Sequence, residues 1–314
     1  MDGLFLEHGP FRIIPPNKTY EFAESDSQDV SKWRIEINPY SWHRAPAYTL
    51  YIDQPVGTGL SFSRGHNWCK SDYEVNNDFY NFLQQFLAMF KDLFVQTTPI
   101  KEGEGQDGKN SLYQMSRPLY FSGESHAGHY IPSMIDHILT QNDKLLGVQG
   151  GENAGLSSSQ QQAGNNLPSP PGNIIVRVQG AAIGNGWVDP VFQYSGAKAA
   201  YGVGLIDEAQ FNALKEKEIK CQAKLREGSY VNSVCFQLLD AILEESDGGE
   251  KFKVSSYDSR LWEYMHKPRT FPVGHDVIES FLGNISEFWI CRFAFASELV
   301  RLFTMCFFQT DCLT

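Results

Sequence analysis

Features that announce a ligand outright are nearly absent from this chain. It has no CxxC pair and no cysteine–histidine cluster at zinc-site spacing, so no zinc site is read from it. Positive charge is scarce: 26 Lys and Arg stand against 37 Asp and Glu, a formal net charge of −11. No basic stripe runs along any segment, which excludes nucleic acid as the main partner, because phosphate binding depends on one. Residues 1–8 carry neither a positive stretch nor a long apolar run, so they do not read as a secretory signal. That points either to the cytosol or to a chain whose start lies further upstream. Two Asn-x-Ser/Thr tripeptides, at Asn17 and Asn284, fit a secretory route, although such patterns arise often by chance.

Cysteine is sparse but not negligible. Six residues are too few for a disulfide scaffold. Cys221 and Cys235 flank a Gly-containing turn between two helix-like stretches and can close a local loop. Cys291, Cys306 and Cys312 crowd the C-terminus, and Cys69 stands alone.

What the chain does have is length and aromatic side chains. Its 314 residues, with 22 Phe, 14 Tyr and 6 Trp, suffice for one large α/β domain or for a domain with an inserted cap. Residues 46–54 read as a short strand that stops at Pro55, followed by the turn 56–59. Ser71-Asp72-Tyr73-Glu74 has the form of a capping box. Behind it Phe79, Phe82, Leu83, Phe86, Phe90, Leu93 and Phe94 recur at helical spacing and predict one buried face of a long helix. Residues 118–121 form an apolar run, and a second helix is expected from His126 to Leu139. Residues 141–173 are rich in Gly, Ser, Gln and Asn and read as a disordered insertion. A strand resumes at Ile174 and runs into the turn Gly184-Asn185-Gly186, and residues 207–246 look mainly helical. Strands alternating with helices imply a largely parallel sheet. The expected organisation is therefore an α/β core over residues 1–200, a helical cap-like region over 201–283 and an atypical hydrophobic tail over 284–314.

The chemistry gathers at Ser125. A strand, a sharp turn and a helix, with Gly-x-Ser at the turn, is the setting of a nucleophile elbow. Small neighbours are needed there, and Gly123, Ala127 and Gly128 supply them. The hydroxyl then stands at a helix N-terminus, where the dipole and the main-chain N–H of His126 can hold a developing oxyanion. The same tripeptide also fits an ordinary strand-to-helix turn with Ser125 near an N-cap.

The surrounding segments bear on that choice. Residues 121–132, Phe-Ser-Gly-Glu-Ser-His-Ala-Gly-His-Tyr-Ile-Pro, strongly resemble the serine carboxypeptidase signature, in which Gly-Glu-Ser-Tyr-Ala-Gly-His-Tyr-Ile-Pro is usual. Residues 38–42, 53–59 with 61–63, and 183–190 resemble further motifs of that family in the same order, and residues 4–10 look like the segment after its first glycine-rich loop. The resemblance covers residues 4 to about 283, apart from the low-complexity insertion. It implies an incomplete α/β-hydrolase sheet, mostly parallel, with a helical cap insertion. It also implies Ser125 as nucleophile and the His126 N–H as one oxyanion donor. Glu124 matches the acidic residue that binds a peptide's free C-terminal carboxylate while protonated, a role suited to acidic conditions. Asn38, Asp53, Gln54, Asn185 and Trp187 fall in matched motifs and are assigned to shaping loops and pockets.

Other parts of the family pattern are not found. Its Asn-Gly-Gly-Pro-Gly loop, with the second oxyanion donor, would precede Met1, and its triad Asp and His would follow residue 283. His126, His129 and His137 sit on the helix leaving the elbow, while His266 and His275 lack the family's catalytic surroundings. The missing strands would leave sheet edges open. With Arg292, Glu298 and Arg301 inside it, the hydrophobic end of the chain is a poor membrane span. It reads as translation through an unspliced or misassigned segment, with a buried amphipathic helix as the alternative. The resemblance implies a secretory or vacuolar serine-type carboxypeptidase acting on peptide or protein C-termini without metal or cofactor, catalytically incomplete as written. The alternatives are a non-catalytic binding module and an acyltransferase or esterase on the same scaffold.

Overall fold

A computed structural model describes residues 7–14, 34–58, 61–62, 68–101, 111–148, 173–230, 232–245, 252–254, 259–260, 262–264 and 301–308. Several expectations lie outside these residues: most of the low-complexity stretch, His266 and His275, Cys291 and Cys312, and the tripeptides at Asn17 and Asn284. The chain divides into two compact units, Met1–Gly186 with His275–Thr314, and Trp187–Gly274.

The first unit is built on a four-stranded sheet. Its strands are β3 (Ala47–Tyr51), β5 (Leu119–Ser125), β7 (Val178–Gly184) and β10 (Arg301–Phe308), in the order β3-β10-β5-β7. Strands β5 and β7 pair in parallel, whereas β10 runs antiparallel to both β3 and β5. β3, β5 and β7 therefore point the same way, but only one of the three pairings is parallel. This corrects the mostly parallel sheet expected. The helix offered as the alternative for the tail does not form over residues 301–308, which make a strand instead. Phe, Met, Leu and Thr in that stretch suit a central strand, and the position between β3 and β5 satisfies main-chain groups on both sides at once. Without β10 the described residues offer β3 no partner in this sheet.

Smaller sheets complete the strands. β1 (Phe11–Ile14) and β2 (Arg34–Ile37) pair antiparallel. β4 (Tyr113–Gln114) and β6 (Ile174–Ile175) pair in parallel.

Two long helices pack with the sheet: α1 (Asp72–Met89), followed by the single turn α2 (Lys91–Phe94), and α3 (Ala127–Leu146). Ser71 caps α1 by accepting from the Glu74 N–H at 3.3 Å, while the Glu74 carboxylate reaches back to the Lys70 N–H at 2.6 Å. The reciprocal arm of the expected box is thus displaced by one residue. The buried face of α1 is Val75, Phe79, Tyr80, Leu83 and Leu87, packed in one core with Phe121, Ile131, Met134 and Ile138. Leu93, expected inside, is exposed, and so are Phe82 and Phe90. The two phenylalanines join Phe86 in an i, i+4 aromatic ladder on the flank, with ring centroids 6.1 and 4.8 Å apart. Aromatic spacing alone does not separate the core face from this stripe.

Helix α3 runs on past Leu139 to Leu146 and ends at Gly147 in the left-handed conformation (φ 71°). The extra turns are held because Asn142 is buried against the sheet. Its amide donates to the Val176 carbonyl at 2.8 Å and accepts from the Val176 N–H at 3.0 Å. Gln84 on α1 does the same for Ile174, at 2.8 and 3.2 Å. One side-chain amide from each helix therefore clamps the extended backbone leading into β7.

The two helices also meet along a polar ladder. Asp72 accepts from His129 (3.1 Å), Asn76 donates to Ser133 (2.5 Å), and Tyr80 stands edge-on to His137 (5.8 Å). Each step advances four residues on both helices, so α1 and α3 run parallel and start side by side. His137 is buried at the foot of this ladder, and burial lowers its pKa from 6.5 to about 4.

The second unit is mainly helical. It comprises α4 (Pro190–Gln193), α5 (Ala197–Gly202), α6 (Glu208–Arg226) and α7 (Ser233–Glu245), with the antiparallel pair β8 (Phe252–Val254) and β9 (Trp262–Tyr264). Asp207 and Gln210 form a capping box at the start of α6, each side chain bonding the other's main-chain N–H at 2.8 Å. A disulfide joins Cys221 on α6 to Cys235 on α7, and both are buried with Leu214, Leu225 and Leu238.

Three outcomes follow from this architecture. Replacing both Cys221 and Cys235 by Ala should cost about 2–3 kcal/mol, since the bridge closes a loop of 14 residues, read as faster amide exchange in α6 and α7. Thr304→Pro removes a main-chain donor where β10 is flanked by Tyr51 and Ser122. It should destabilise by roughly 3 kcal/mol or more and promote aggregation through the exposed edges, followed by urea unfolding and light scattering. For His137 the unfolded imidazole binds its proton at a higher pH than the folded one. Stability should therefore fall as pH drops from 6.5 towards about 4, by up to about 3 kcal/mol relative to His137→Gln, in urea titrations at several pH values.

Candidate active site

The carboxyl ends of β3, β5 and β7 lie along one edge of the sheet. That is where open α/β sheets bind ligands, because the chain leaves each strand there in a loop. After β3 come Ile52, Asp53, the buried Gln54 with a cis bond to Pro55, and the turn at Gly57. Gly57 has φ 93°, and a side chain there would run into the Trp68 ring, so only glycine fits.

At the end of β5 stands Ser125, with φ 56°. An L-residue held in the left-handed region costs on the order of 1–3 kcal/mol and persists only where its surroundings enforce it. Here β5 is paired on both sides up to Glu124, and α3 begins two residues after the serine. Ala127 and Gly128 are buried at the first turn, so a larger side chain would have nowhere to go. His126 occupies the N-cap position in helical conformation (φ −63°, ψ −20°) with no side-chain cap. A helix leaves its first N–H groups without acceptors of its own and carries partial positive charge at that end. The Ser125 hydroxyl is thus carried on a strained turn at a helix N-terminus. This arrangement can present a nucleophile and, through the His126 N–H, stabilise negative charge beside it.

Glu124, exposed, pairs in register with Gly184 on β7, and its Cγ lies 3.9 Å from where a side chain at 184 would begin. Its carboxylate can accept or, when protonated, donate a hydrogen bond at the same edge. The next residue on β7's path, Asn185, has φ 45°, like Ser125 a left-handed backbone on a non-glycine residue.

Beside the elbow, the His129–Asp72 contact of the ladder ties the first turn of α3 to the first residue of α1. The hydrogen bond to Asp72 raises the His129 pKa, and the bond to His129 lowers that of Asp72. The pair is therefore fully charged between the ordinary carboxylate and imidazole values of 3.8 and 6.5. Being largely exposed, it contributes at most about 1 kcal/mol. The ring of His126 stands edge-on to Tyr130, 4.7 Å between centroids.

Several other histidines have defined partners. His8 stacks on Trp42 at 4.3 Å and bonds the Tyr51 hydroxyl at 3.1 Å, while burial lowers its pKa. His43 contacts Ser41 at 2.7 Å, and His137 contacts Gln141 at 3.3 Å. Cys69 does not compete as a nucleophile: burial, with help from Asp78, pushes its thiol up to about 12.

The remaining motif residues shape loops. Asn38, buried, donates to the carbonyls of Glu7 and Gly9 at 2.9 and 3.0 Å and accepts from the Tyr40 N–H at 3.0 Å. Asp189 caps α4 through the Val191 N–H at 2.9 Å, and Trp187 packs edge-on to Tyr194. Sequence reasoning missed the Asp72–His129 tie and the backbone of Asn185. The four-residue steps 72, 76, 80 and 129, 133, 137 were legible as polar stripes, but nothing local pairs one with the other.

Among the described residues no group of three or more His, Cys, Asp or Glu is placed to hold a metal ion, and no helix is long and apolar enough to cross a membrane.

Comparison with known proteins agrees with this architecture. The family model for serine carboxypeptidases matches residues 1–284. Serine carboxypeptidase S10 family member 2 of Dictyostelium discoideum is 32% identical over 264 residues, covering 83% of this chain and 37% of that protein. The pheromone-processing carboxypeptidase KEX1 of Phytophthora infestans is 30% identical over 288 residues, 91% of this chain and 38% of its own length. Serine carboxypeptidase S10 family member 1 of Dictyostelium discoideum is 30% identical over 260 residues, 80% of this chain and 45% of its own. The chain thus spans less than half the length of these relatives. With an α/β sheet that carries a strained serine ahead of a helix, and a family match over most of its length, the chain belongs to the serine carboxypeptidase family.

Proposed function

We propose that this protein acts as a serine-type carboxypeptidase, releasing C-terminal residues from peptides through an acyl-enzyme at Ser125. The observation that carries the reading is the backbone of Ser125, left-handed at the junction of β5 and α3. In this scheme the Ser125 hydroxyl attacks the carbonyl carbon of the last peptide bond. The His126 N–H donates to the oxygen as it becomes an oxyanion. A base takes the serine proton and passes it to the leaving amine, and water then hydrolyses the acyl ester. Glu124 holds the free carboxylate of the departing residue.

Among the described residues His8, His43, His129 and His137 each contact a side chain other than Ser125. That observation gives the non-catalytic binding module its place as second reading. The buried Cys221–Cys235 disulfide supports a secretory or vacuolar setting, where such bonds persist.

The test is hydrolysis of N-blocked dipeptides at acidic and neutral pH, with a fluorophosphonate label mapped by mass spectrometry. The label should sit on Ser125, and Ser125→Ala should lose about 10⁴-fold or more in kcat/KM. Glu124→Ala should weaken hydrolysis of free-acid dipeptides more than that of their C-terminal amides. Cleavage that survives Ser125→Ala overturns the nucleophile. Labelling with turnover of esters alone points to the esterase or acyltransferase alternative, and absence of both label and turnover leaves the binding module.

A further inference from the structure

We propose that Asn185 is a substrate-positioning residue whose side-chain amide pairs with a peptide group on the acyl side of the scissile bond, beside Ser125. The inference rests on the carboxypeptidase reading and adds a residue to its site.

Among the described residues only two non-glycine positions have positive φ, Ser125 at 56° and Asn185 at 45°. They are neighbours. β5 and β7 run parallel with Glu124 opposite Gly184, so Ser125 and Asn185 are the next residues on each path, at the carboxyl edge of the sheet. Adjacent strands lie about 4.8 Å apart, which places the two turns side by side. Strained backbone of this kind clusters where a protein must present a group to a ligand.

Glu124 and Gly184 form the last cross-strand pair and share a face, with the Glu124 side chain lying over the glycine. Ser125 and Asn185 follow that pair, and both leave the extended conformation there. With Glu124 assigned to the departing residue, Asn185 is left to the acyl portion held at the serine. Asn185 is exposed at the end of its strand, open to a ligand.

A primary amide complements a peptide group, with one donor for its carbonyl and one acceptor for its N–H. This protein uses that pairing twice internally, Gln84 on Ile174 and Asn142 on Val176. A substrate peptide arriving extended at Ser125 offers the same groups. Asn185 also has a purely local explanation, because Asn tolerates the left-handed region better than most residues. The two accounts give opposite results on substitution.

The experiment compares Asn185→Gly, Asn185→Asp and Asn185→Ala in the full chain. Gly keeps the left-handed backbone and removes the amide. Asp keeps the shape and one acceptor but loses the donor, and Ala removes the amide and strains the turn. Each is assayed on an N-blocked dipeptide and on a small activated ester without a peptide group. The proposal expects the ratio of peptide to ester kcat/KM to fall roughly 10- to 100-fold in both Gly and Asp variants, the loss of one or two hydrogen bonds. A backbone-only role predicts a wild-type ratio in Gly and Asp, with only Ala impaired, and that result overturns the proposal. An equal fall on peptide and ester also overturns it, since Asn185 would then act on Ser125 itself. If the wild type turns over neither substrate, the carboxypeptidase reading fails separately. Calorimetric binding of the blocked dipeptide to wild type and Asn185→Gly then decides, and equal binding or none overturns the inference.

Discussion

Ser125 sits in a backbone conformation that an L-residue avoids, and the surrounding architecture supplies what keeps it there. β5 is paired on both sides, so the strand cannot twist to release the turn, and α3 starts at once on a buried alanine and glycine. Burial of Phe121, Ile131, Met134 and Ile138 anchors the strand below the serine and the helix beyond it in one core. Each fully buried side chain of this size contributes about 1.5–3 kcal/mol. A few of them outweigh the strain at the turn.

The helices that provide this core are joined to the sheet and to each other by polar groups at defined places. Gln84 and Asn142 occupy the two buried positions where extended backbone would otherwise lose its hydrogen bonds, and each satisfies both a donor and an acceptor. An unpaired buried peptide group costs more than the bond is worth when made, so these amides specify where residues 174–176 lie. The Asp72–His129 tie is weaker, because water competes with it, but it stands beside the elbow and sets the starts of α1 and α3 in register. His137, at the far end of the same ladder, is the acid-sensitive member. This core therefore resists acidification less well than a purely apolar one, in tension with the carboxylate-binding role proposed for Glu124, which suits acidic conditions.

Much of this was legible locally. The turn at Ser125 follows from small residues around a serine between an apolar run and a helix. The Ser71 cap follows from short-range spacing, which also allowed a Cys221–Cys235 bridge without fixing it. Phe79 and Leu83 fell on the predicted buried face, whereas Phe82 and Phe90 did not, because periodicity reports a stripe and not what covers it. α3 outran its expected end because Asn142, a weak helix former, has a buried backbone partner 34 residues away. For the hydrophobic end of the chain, the helix offered as the alternative is not what forms over the described residues. Residues 301–308 are apolar enough for a helix or a strand, and the open place between β3 and β5 selects the strand.

By itself, then, the sequence determined the elements near Ser125 and the family, both of which depend on residues close along the chain. Tertiary structure alone decided the order β3-β10-β5-β7, the parallel register of α1 with α3, and the meeting of Ser125 with Asn185 at one sheet edge. The physical reason is the same in each case. Hydrogen-bond ladders and side-chain packing between distant segments depend on which surfaces remain unsatisfied once the local elements have formed. That is a property of the assembled sheet, not of any one stretch of residues.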